Sequence, residues 1–235
     1  MANQKLEIVV LCGGAGIRAG GLTLKRQKCM LEVEGKPILE YVFETIIEAF
    51  GKAKVVLALG HSGQDVRKYF GERYKTLQLK YTKKSVAGTR LALLISEGFV
   101  KGKQFLLMDG DIIVKPEALA KLAELKESDL LGRMLVSAKH EKAPTHGLVI
   151  VKNHRVVKIV FPSPKSIPRV NAFRFMDVGF YSRDLFERAK SYDASTITDV
   201  LSNSVRDGNR VEGVVYKADW FHFVTPKDLE VSIRF

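Results

Sequence analysis

The chain has 235 residues, 46% of them apolar, and a formal net charge of +12. This length is enough for one large α/β domain, and the sequence holds no apolar run of about 18 residues that would cross a membrane. The basic excess suits a polyanion, and because the sequence carries no zinc finger, basic zipper or aromatic RNA-binding motif, we expect a nucleoside triphosphate or phosphosugar and no nucleic acid.

Strand-like and helix-like segments alternate along the chain. The first half predicts strands at 6–11, 54–59, 77–81 and 104–108 and helices at 38–50, 65–70, 89–100 and 116–125. The second half predicts strands at 130–138, 147–151, 156–160, 175–181 and 211–216 and helices at 183–189, 198–206 and 226–233. This order predicts a Rossmann-like three-layer α/β sandwich with a mainly parallel mixed sheet, in a single domain over 1–235. In such sheets ligands bind beyond the carboxyl ends of the strands.

The most informative segment is residues 11–18, LCGGAGIR, directly after the first predicted strand. Its glycines let the backbone turn sharply and approach a ligand, and backbone N–H groups in such a turn form an anion-binding concavity. Arg18 and Lys28 add two cations, so the segment predicts a polyphosphate site. A dinucleotide fingerprint matches formally from Gly14 to Ala19, but no helix is predicted to begin there. A P-loop is excluded because no Gly-Lys-Ser/Thr ends the turn.

Residues 11–41 resemble the opening of the sugar-1-phosphate nucleotidyltransferase family, which reads roughly L-A-G-G-x-G-T-R, then P-K, then G-K-P. Gly13, Gly14, Gly16, Arg18 and Lys28 fall in register with that pattern. Later landmarks of the family are matched by Gly88-Thr89, Asp109-Gly110-Asp111, Gly147, Asp177-Val178-Gly179 and Thr225-Pro226. The resemblance covers nearly the whole chain. Since the sequence stops at Phe235, it is similar to a short form without the C-terminal repeat domain that the family often carries.

The resemblance implies a reaction and a set of site residues. The family joins a nucleoside triphosphate to a sugar 1-phosphate and releases pyrophosphate. Arg18 would grip the leaving pyrophosphate, and Lys28 would stabilise the charge that develops at the α-phosphate. The residues implied for nucleotide binding are Leu11, Gly13, Gly14, Gly16, Lys83, Gly88 and Thr89, and those implied for the acceptor are Gly147 and Asp177. The nucleotide would thus be bound within about residues 1–115 and the acceptor by the remainder.

The resemblance also implies a divalent metal. Asp111 matches the family's metal-binding aspartate, a suitable ligand for Mg²⁺. The family's second metal aspartate falls at His222, and because imidazole suits softer ions, Mn²⁺ or Co²⁺ is an alternative. A histidine packed among aromatic residues without a metal is the other interpretation of His222. The family's sugar-phosphate lysine falls at Phe161, with Lys158 or Lys165 as substitutes.

The expected function is therefore a nucleotidyltransferase whose partners are a nucleoside triphosphate and a phosphorylated small-molecule acceptor. One alternative is a CTP-dependent cytidylyltransferase acting on inositol phosphate or choline phosphate, because Asp177-Val178-Gly179 resembles a segment of such members of the family. The other alternative is a non-catalytic nucleotide-binding relative. Cys12 and Cys29 are too few for a disulfide framework, so we expect a cytoplasmic protein. We expect no secretory leader and no membrane partner, and a homo-oligomer is possible.

Overall fold

The computed structural model describes residues 6–13, 21–23, 26–60, 63–82, 88–124, 129–138, 147–161 and 172–230. Four of the predicted site residues, Gly14, Gly16, Arg18 and Lys83, lie outside the described residues. Their roles therefore stay predictions from the sequence.

The described strands form one large mixed sheet and two short pairs. In chain order they are β1 (Glu7–Cys12), β2 (Glu32–Val33), β3 (Lys36–Pro37), β4 (Lys54–Leu59), β5 (Arg73–Tyr74), β6 (Leu77–Tyr81), β7 (Gln104–Asp109), β8 (Ile112–Ile113), β9 (Leu130–Ser137), β10 (Leu148–Lys152), β11 (Arg155–Val160), β12 (Ala172–Ser182), β13 (Arg210–Tyr216) and β14 (Phe221–His222). Ten strands make the large sheet, in the order β10-β11-β13-β9-β12-β7-β1-β4-β6-β5. The short pairs are β2–β3 and β8–β14.

The direction of pairing changes across the large sheet. Strands β7, β1, β4 and β6 are parallel to their neighbours in that series. Strand β12 runs antiparallel to both β7 and β9, and β10 and β11 are antiparallel to each other, whereas β9 and β13 are parallel. The mixed sheet is as predicted, with its parallel series in the first half of the chain.

In the described part of the chain, six α-helices join the strands: α1 (Ile38–Phe50), α2 (Gly63–Phe70), α3 (Thr89–Ser96), α4 (Pro116–Ala123), α5 (Asp184–Ser191) and α6 (Ile197–Arg206). Helix α1 matches its prediction and ends at Gly51, whose φ of 71° suits glycine. The predicted helix 89–100 is α-helical only to Ser96 and then tightens into a 3₁₀ turn at Glu97–Phe99; Gly98, a poor helix former, lies in that turn. The predicted last helix is a 3₁₀ turn at Pro226–Glu230. No described helix is both long and apolar enough to cross a membrane.

The sheet is covered by helices on both faces. Along β1, Ile8 and Val10 belong to one buried cluster, which includes residues of α1, α2 and α4. Val9 and Leu11 belong to the other, which includes residues of α3, α5 and α6. Burial on both faces explains why β1 is apolar from Ile8 to Cys12 rather than alternating, and it confirms the predicted three-layer sandwich.

The ends of three parallel strands converge. The N–H of Gly60, after β4, donates to the carbonyl of Cys12 at 3.2 Å, and the N–H of Gly110, after β7, donates to the carbonyl of Leu11 at 2.9 Å. A Cβ added to Gly60 would lie 2.1 Å from the carbonyl oxygen of Gly13. Only glycine at position 60 permits this approach, so the start of the glycine-rich segment is held against the end of β4.

Candidate active site

A lysine and an aspartate meet at the carboxyl end of β7. Lys28 begins a 3₁₀ turn at Lys28–Met30, and its ammonium forms an ion pair with Oδ2 of Asp111, 83 residues away in sequence. The side chains of this pair are 16% and 11% exposed, respectively. The turn is capped by Gln27, whose side-chain oxygen accepts from the N–H of Cys29 at 3.4 Å. The fold therefore brings together the lysine that the resemblance assigns to the α-phosphate and the aspartate that it assigns to a metal.

The short β8–β14 pair brings His222 to the same place. His222 lies opposite Ile112, and the N–H of Phe223 donates to the carbonyl of Asp111 at 3.1 Å. The Nε2 atom of His222 is 4.0 Å from Oδ2 of Asp111, and the His222 side chain is 8% exposed. Strands of two residues leave no pattern in a sequence, so the pairing that places His222 was not predicted.

Two further residues that support His222 were missed in the sequence. Arg174 on β12 places Nη2 2.8 Å from Nδ1 of His222, and no local pattern marks it. The carboxylate of Asp228 accepts from the N–H groups of Val224 and Thr225, at 2.9 and 2.7 Å, and so fixes the chain after β14. The T-x-x-D spacing of Thr225 and Asp228 resembles a capping box and was the available signal.

A partly open cavity lies beside this cluster, beyond β1 and β7. It is lined by Leu11, Thr89, Leu107, Asp109, Phe175, Asp177, Gly179, Tyr181 and Ile197. Burial raises the pKa of Asp109, and the charges of Asp177 and Asp111 raise it further. The buried hydroxyl of Tyr181 has no hydrogen-bond partner among the described residues. The cavity has a volume of about 20 Å³, which is room for about one water molecule.

Asp177 reaches this cavity through an irregularity in β12. The pairing of β12 with β9 shifts between Phe175 and Gly179, and Asp177 has a φ of 52°. A positive φ is unfavourable for a residue with a side chain, although aspartate tolerates it better than most. Backbone strain of this kind is common at active sites and ligand-binding positions.

The glycines predicted to approach ligands also have structural reasons to be glycine. Gly88 has a φ of 82°, and a Cβ there would lie 2.7 Å from the carbonyl oxygen of Ser195. A Cβ on Gly147 would lie 2.8 Å from Cγ2 of Thr198. Thr89 accepts a hydrogen bond from the N–H of Ile197 at 2.9 Å. These three predicted binding residues all lie against the start of α6, and their contacts with substrates stay predictions.

The donor set near Asp111 fits a hard divalent cation that takes most of its ligands from substrate and water. Within the described ranges, no group of three or more His, Cys, Asp or Glu side chains is arranged to hold a metal ion. One carboxylate is a sufficient protein contribution for Mg²⁺, which commonly keeps waters and binds phosphate oxygens. Lys158, suggested as a substitute phosphate ligand, is exposed on β11.

Comparison with known proteins gives consistent matches. Residues 7–230 match the family model described as nucleotidyl transferase. The UTP–glucose-1-phosphate uridylyltransferase AglF of Haloferax volcanii is 25% identical over 88% of this chain and 89% of its own length. The bifunctional protein GlmU of Methanocaldococcus jannaschii is 24% identical over 95% of this chain, which spans about half (52%) of that relative. The inositol-1-phosphate CTP transferase of T. maritima superposes with a TM-score of 0.80 at 24% identity, over 95% of this chain and 91% of that structure.

Proposed function

Because the chain belongs to the nucleotidyl transferase family and is a nucleotidyltransferase, we propose that it joins a nucleoside triphosphate to a sugar 1-phosphate. The products are a nucleotide-activated sugar and pyrophosphate. The observation that carries the proposal is the contact between Lys28 and Asp111 at the carboxyl end of β7, where ligands of α/β sheets bind. We assign the nucleotide to residues before about 115 and the acceptor to the remainder of a single domain.

The reaction is a direct displacement at phosphorus. An oxygen of the acceptor phosphate forms a bond to the α-phosphorus, and the bond from that phosphorus to the oxygen bridging to the β-phosphate breaks. Pyrophosphate leaves with that oxygen. No covalent intermediate with the protein is required, so the protein contributes positioning and neutralisation of charge. The ammonium of Lys28 neutralises charge at the α-phosphate, and the guanidinium of Arg18 holds the pyrophosphate.

A divalent cation completes this proposal. Asp111 would hold it with one carboxylate oxygen, and Mg²⁺ is the ion we propose because phosphate oxygens and waters would supply its other ligands. When bound, the ion neutralises charge on the phosphate oxygens. The ion pair with Lys28 orients the carboxylate of Asp111.

The relatives support a proposal for the acceptor and the base. The relative named for UTP and glucose 1-phosphate aligns over most of both chains, which favours a uridylyl donor and a hexose acceptor. We assign Asp177, whose carboxyl group lines the small cavity together with Asp109, to the acceptor. A second candidate is transfer from CTP to inositol phosphate, since Asp177-Val178-Gly179 resembles that branch and a protein so named shares the fold.

An assay of pyrophosphate release tests the proposal. Each of the four common ribonucleoside triphosphates is mixed with Mg²⁺ and, in turn, glucose 1-phosphate, inositol 1-phosphate and choline phosphate. We expect release to be fastest for one triphosphate with glucose 1-phosphate. Release with CTP and inositol or choline phosphate alone would select the second candidate. Triphosphate binding without release from any mixture would contradict both. A cytoplasmic location stays a prediction from the sequence.

A further inference from the structure

The contact between Arg174 and His222 determines which ring nitrogen of the histidine carries the proton. Nη2 of Arg174 lies 2.8 Å from Nδ1 of His222. A guanidinium has hydrogen-bond donors and no acceptor, and it stays charged in proteins. Nδ1 must therefore accept, which leaves the ring proton on Nε2.

The surroundings hold both partners in this arrangement. Arg174 is 5% exposed, and its guanidinium lies 4.7 Å from the centre of the Trp220 ring. The Trp220 ring in turn stacks on His222, with centroids 5.9 Å apart and an interplanar angle of 19°. The indole therefore restrains the imidazole on one face while the guanidinium engages its Nδ1 edge.

This arrangement leaves neither ring nitrogen available to a cation. A metal ligand needs a lone pair on nitrogen, but the lone pair of Nδ1 accepts from Arg174 and Nε2 carries the proton. His222, at the position where the family has a second metal carboxylate, is thus arranged as a hydrogen-bond donor and not as a metal ligand.

We infer that His222 acts as a hydrogen-bond donor from Nε2 to a phosphate oxygen bound beside Asp111, and that Arg174 is the positioning residue that holds this tautomer. Nε2 faces Asp111 across 4.0 Å, longer than a direct hydrogen bond, and Lys28 contacts the same carboxylate oxygen. A phosphate at this point would meet the ammonium of Lys28 and the imidazole N–H. The identity of that phosphate rests on the proposed function, but the tautomer does not.

The tautomer is tested in the ligand-free protein by ¹⁵N NMR of its histidine rings. The sequence has five histidines, and the variant His222→Gln identifies the signals of His222. We expect Nε2 at the shift of a protonated ring nitrogen and Nδ1 at that of an unprotonated one. Arg174→Met should mix the two tautomers, whereas Arg133→Met, which breaks the ion pair with Glu212 on β13, should leave them unchanged. An unprotonated Nε2 in the wild type would overturn the inference.

Metal ligation is tested with Mn²⁺ as the probe. Electron paramagnetic resonance of the Mn²⁺-loaded protein should show no coupling between Mn²⁺ and a nitrogen of His222. The spectra of the wild type and of His222→Gln should therefore show the same nitrogen couplings. A coupling of that kind in the wild type identifies His222 as a ligand and overturns the inference, whether or not the protein is active. His222→Asp should bind Mn²⁺ more tightly than the wild type, because it supplies a second carboxylate. Equal or weaker binding by this variant would count against the view that the histidine excludes metal.

The donor role is tested by activity and by calorimetry. His222→Phe keeps a ring beside Trp220 but loses the N–H, and should lower kcat/KM by roughly 10- to 100-fold. His222→Gln keeps an N–H donor and should retain most of the activity. Titrating each variant with the triphosphate alone and with the acceptor phosphate alone identifies which phosphate the N–H contacts, by which affinity falls. Equal activity of His222→Phe and wild type would contradict the donor role without affecting the proposed function.

Discussion

The two halves of the large sheet position their functional residues in different ways. In the parallel half, β1, β4 and β7 end at one level, and the residues that follow them meet through Gly13, Gly60 and Gly110. Beside the antiparallel half, candidate side chains come from within β12, at the irregular pairing around Asp177, and from β14, which pairs with β8 outside the large sheet.

The difference teaches where short motifs carry information. Parallel strands direct all their carboxyl ends to one edge, so a motif at each strand end is enough to locate the site. Antiparallel strands alternate in direction, so the residues that reach the same edge depend on register and bulges. Substitutions that each break one contact can therefore compare how much the parallel half and the antiparallel half contribute to activity and stability.

The largest effect is expected at the meeting point of both halves. Replacing Lys28 with Met removes the charge that the proposal places at the α-phosphate, and should lower kcat for pyrophosphate release by about 10²–10³-fold. The matched control is Lys36→Met, which breaks the ion pair with Glu44 away from the site. If both variants lose activity equally, Lys28 is not at the reacting phosphate.

A methyl group at the junction of β1 and β4 should disturb the parallel half. Gly60→Ala would place Cβ 2.1 Å from the carbonyl oxygen of Gly13, so the backbone must shift. Overpacking of this kind costs about 1–3 kcal/mol, and we expect weaker triphosphate binding in calorimetry together with a lower free energy of unfolding. Gly98→Ala, where a Cβ meets nothing within 4 Å, is the control. Unchanged triphosphate affinity in Gly60→Ala would show that the junction does not shape the site.

The other end of the parallel half depends on one ionised carboxylate. Glu7 accepts from the N–H groups of Lys101 and Gly102, at 2.6 and 2.7 Å, and pairs with Lys54 at 2.9 Å. Burial opposes its ionisation, but these hydrogen bonds outweigh burial and lower the pKa of Glu7. We expect Glu7→Gln to lower the free energy of unfolding at pH 7 by about 1.5–3 kcal/mol.

The pH dependence gives the sign of this effect. Because the folded pKa lies below the unfolded value of about 4.3, the contribution is fully present above that pH and is lost as pH falls through the folded pKa. Urea unfolding at pH 7 and at successively lower pH should show the difference between wild type and Glu7→Gln shrinking. The exposed Glu48→Gln is the control. A difference that does not shrink on acidification would contradict the role of the ionised carboxylate.

The smallest effect is expected in the antiparallel half, where function and stability should move in opposite directions. Asp177→Gly relieves the positive φ and should raise the free energy of unfolding by about 1 kcal/mol. The same change should raise KM for the acceptor and leave KM for the triphosphate unaltered. His154→Gly, at another positive φ of 63° in an exposed turn, should gain stability alone because it creates the favoured Asn-Gly turn. A change confined to the triphosphate KM would place Asp177 in the nucleotide site instead.

The residues that were predicted from the sequence lie in local sequence patterns, whereas the residue that was missed contacts a partner far away in the sequence. Strand β1, helix α1 and the glycines at strand ends were predicted because their patterns are local. Lys28 and Asp111 were predicted to share a site because each lies in its own local motif. Arg174 was not predicted, because its role exists only through His222, 48 residues later, and through a two-residue strand. No periodicity or motif reports such a contact.

The irregular stretch of β12 has a consequence for how the strand responds to substitutions. From Phe175 to Gly179 the strand advances four residues while the facing strand β9 advances two, from Val136 to Met134. This irregular pairing separates the portion of β12 that borders β7 from the portion that borders β10. A backbone shift caused by a substitution on one side of this irregular pairing need not reach the other side. A substitution that shifts β12 beside β10 can therefore be absorbed at the irregular stretch without moving the part of β12 beside β7.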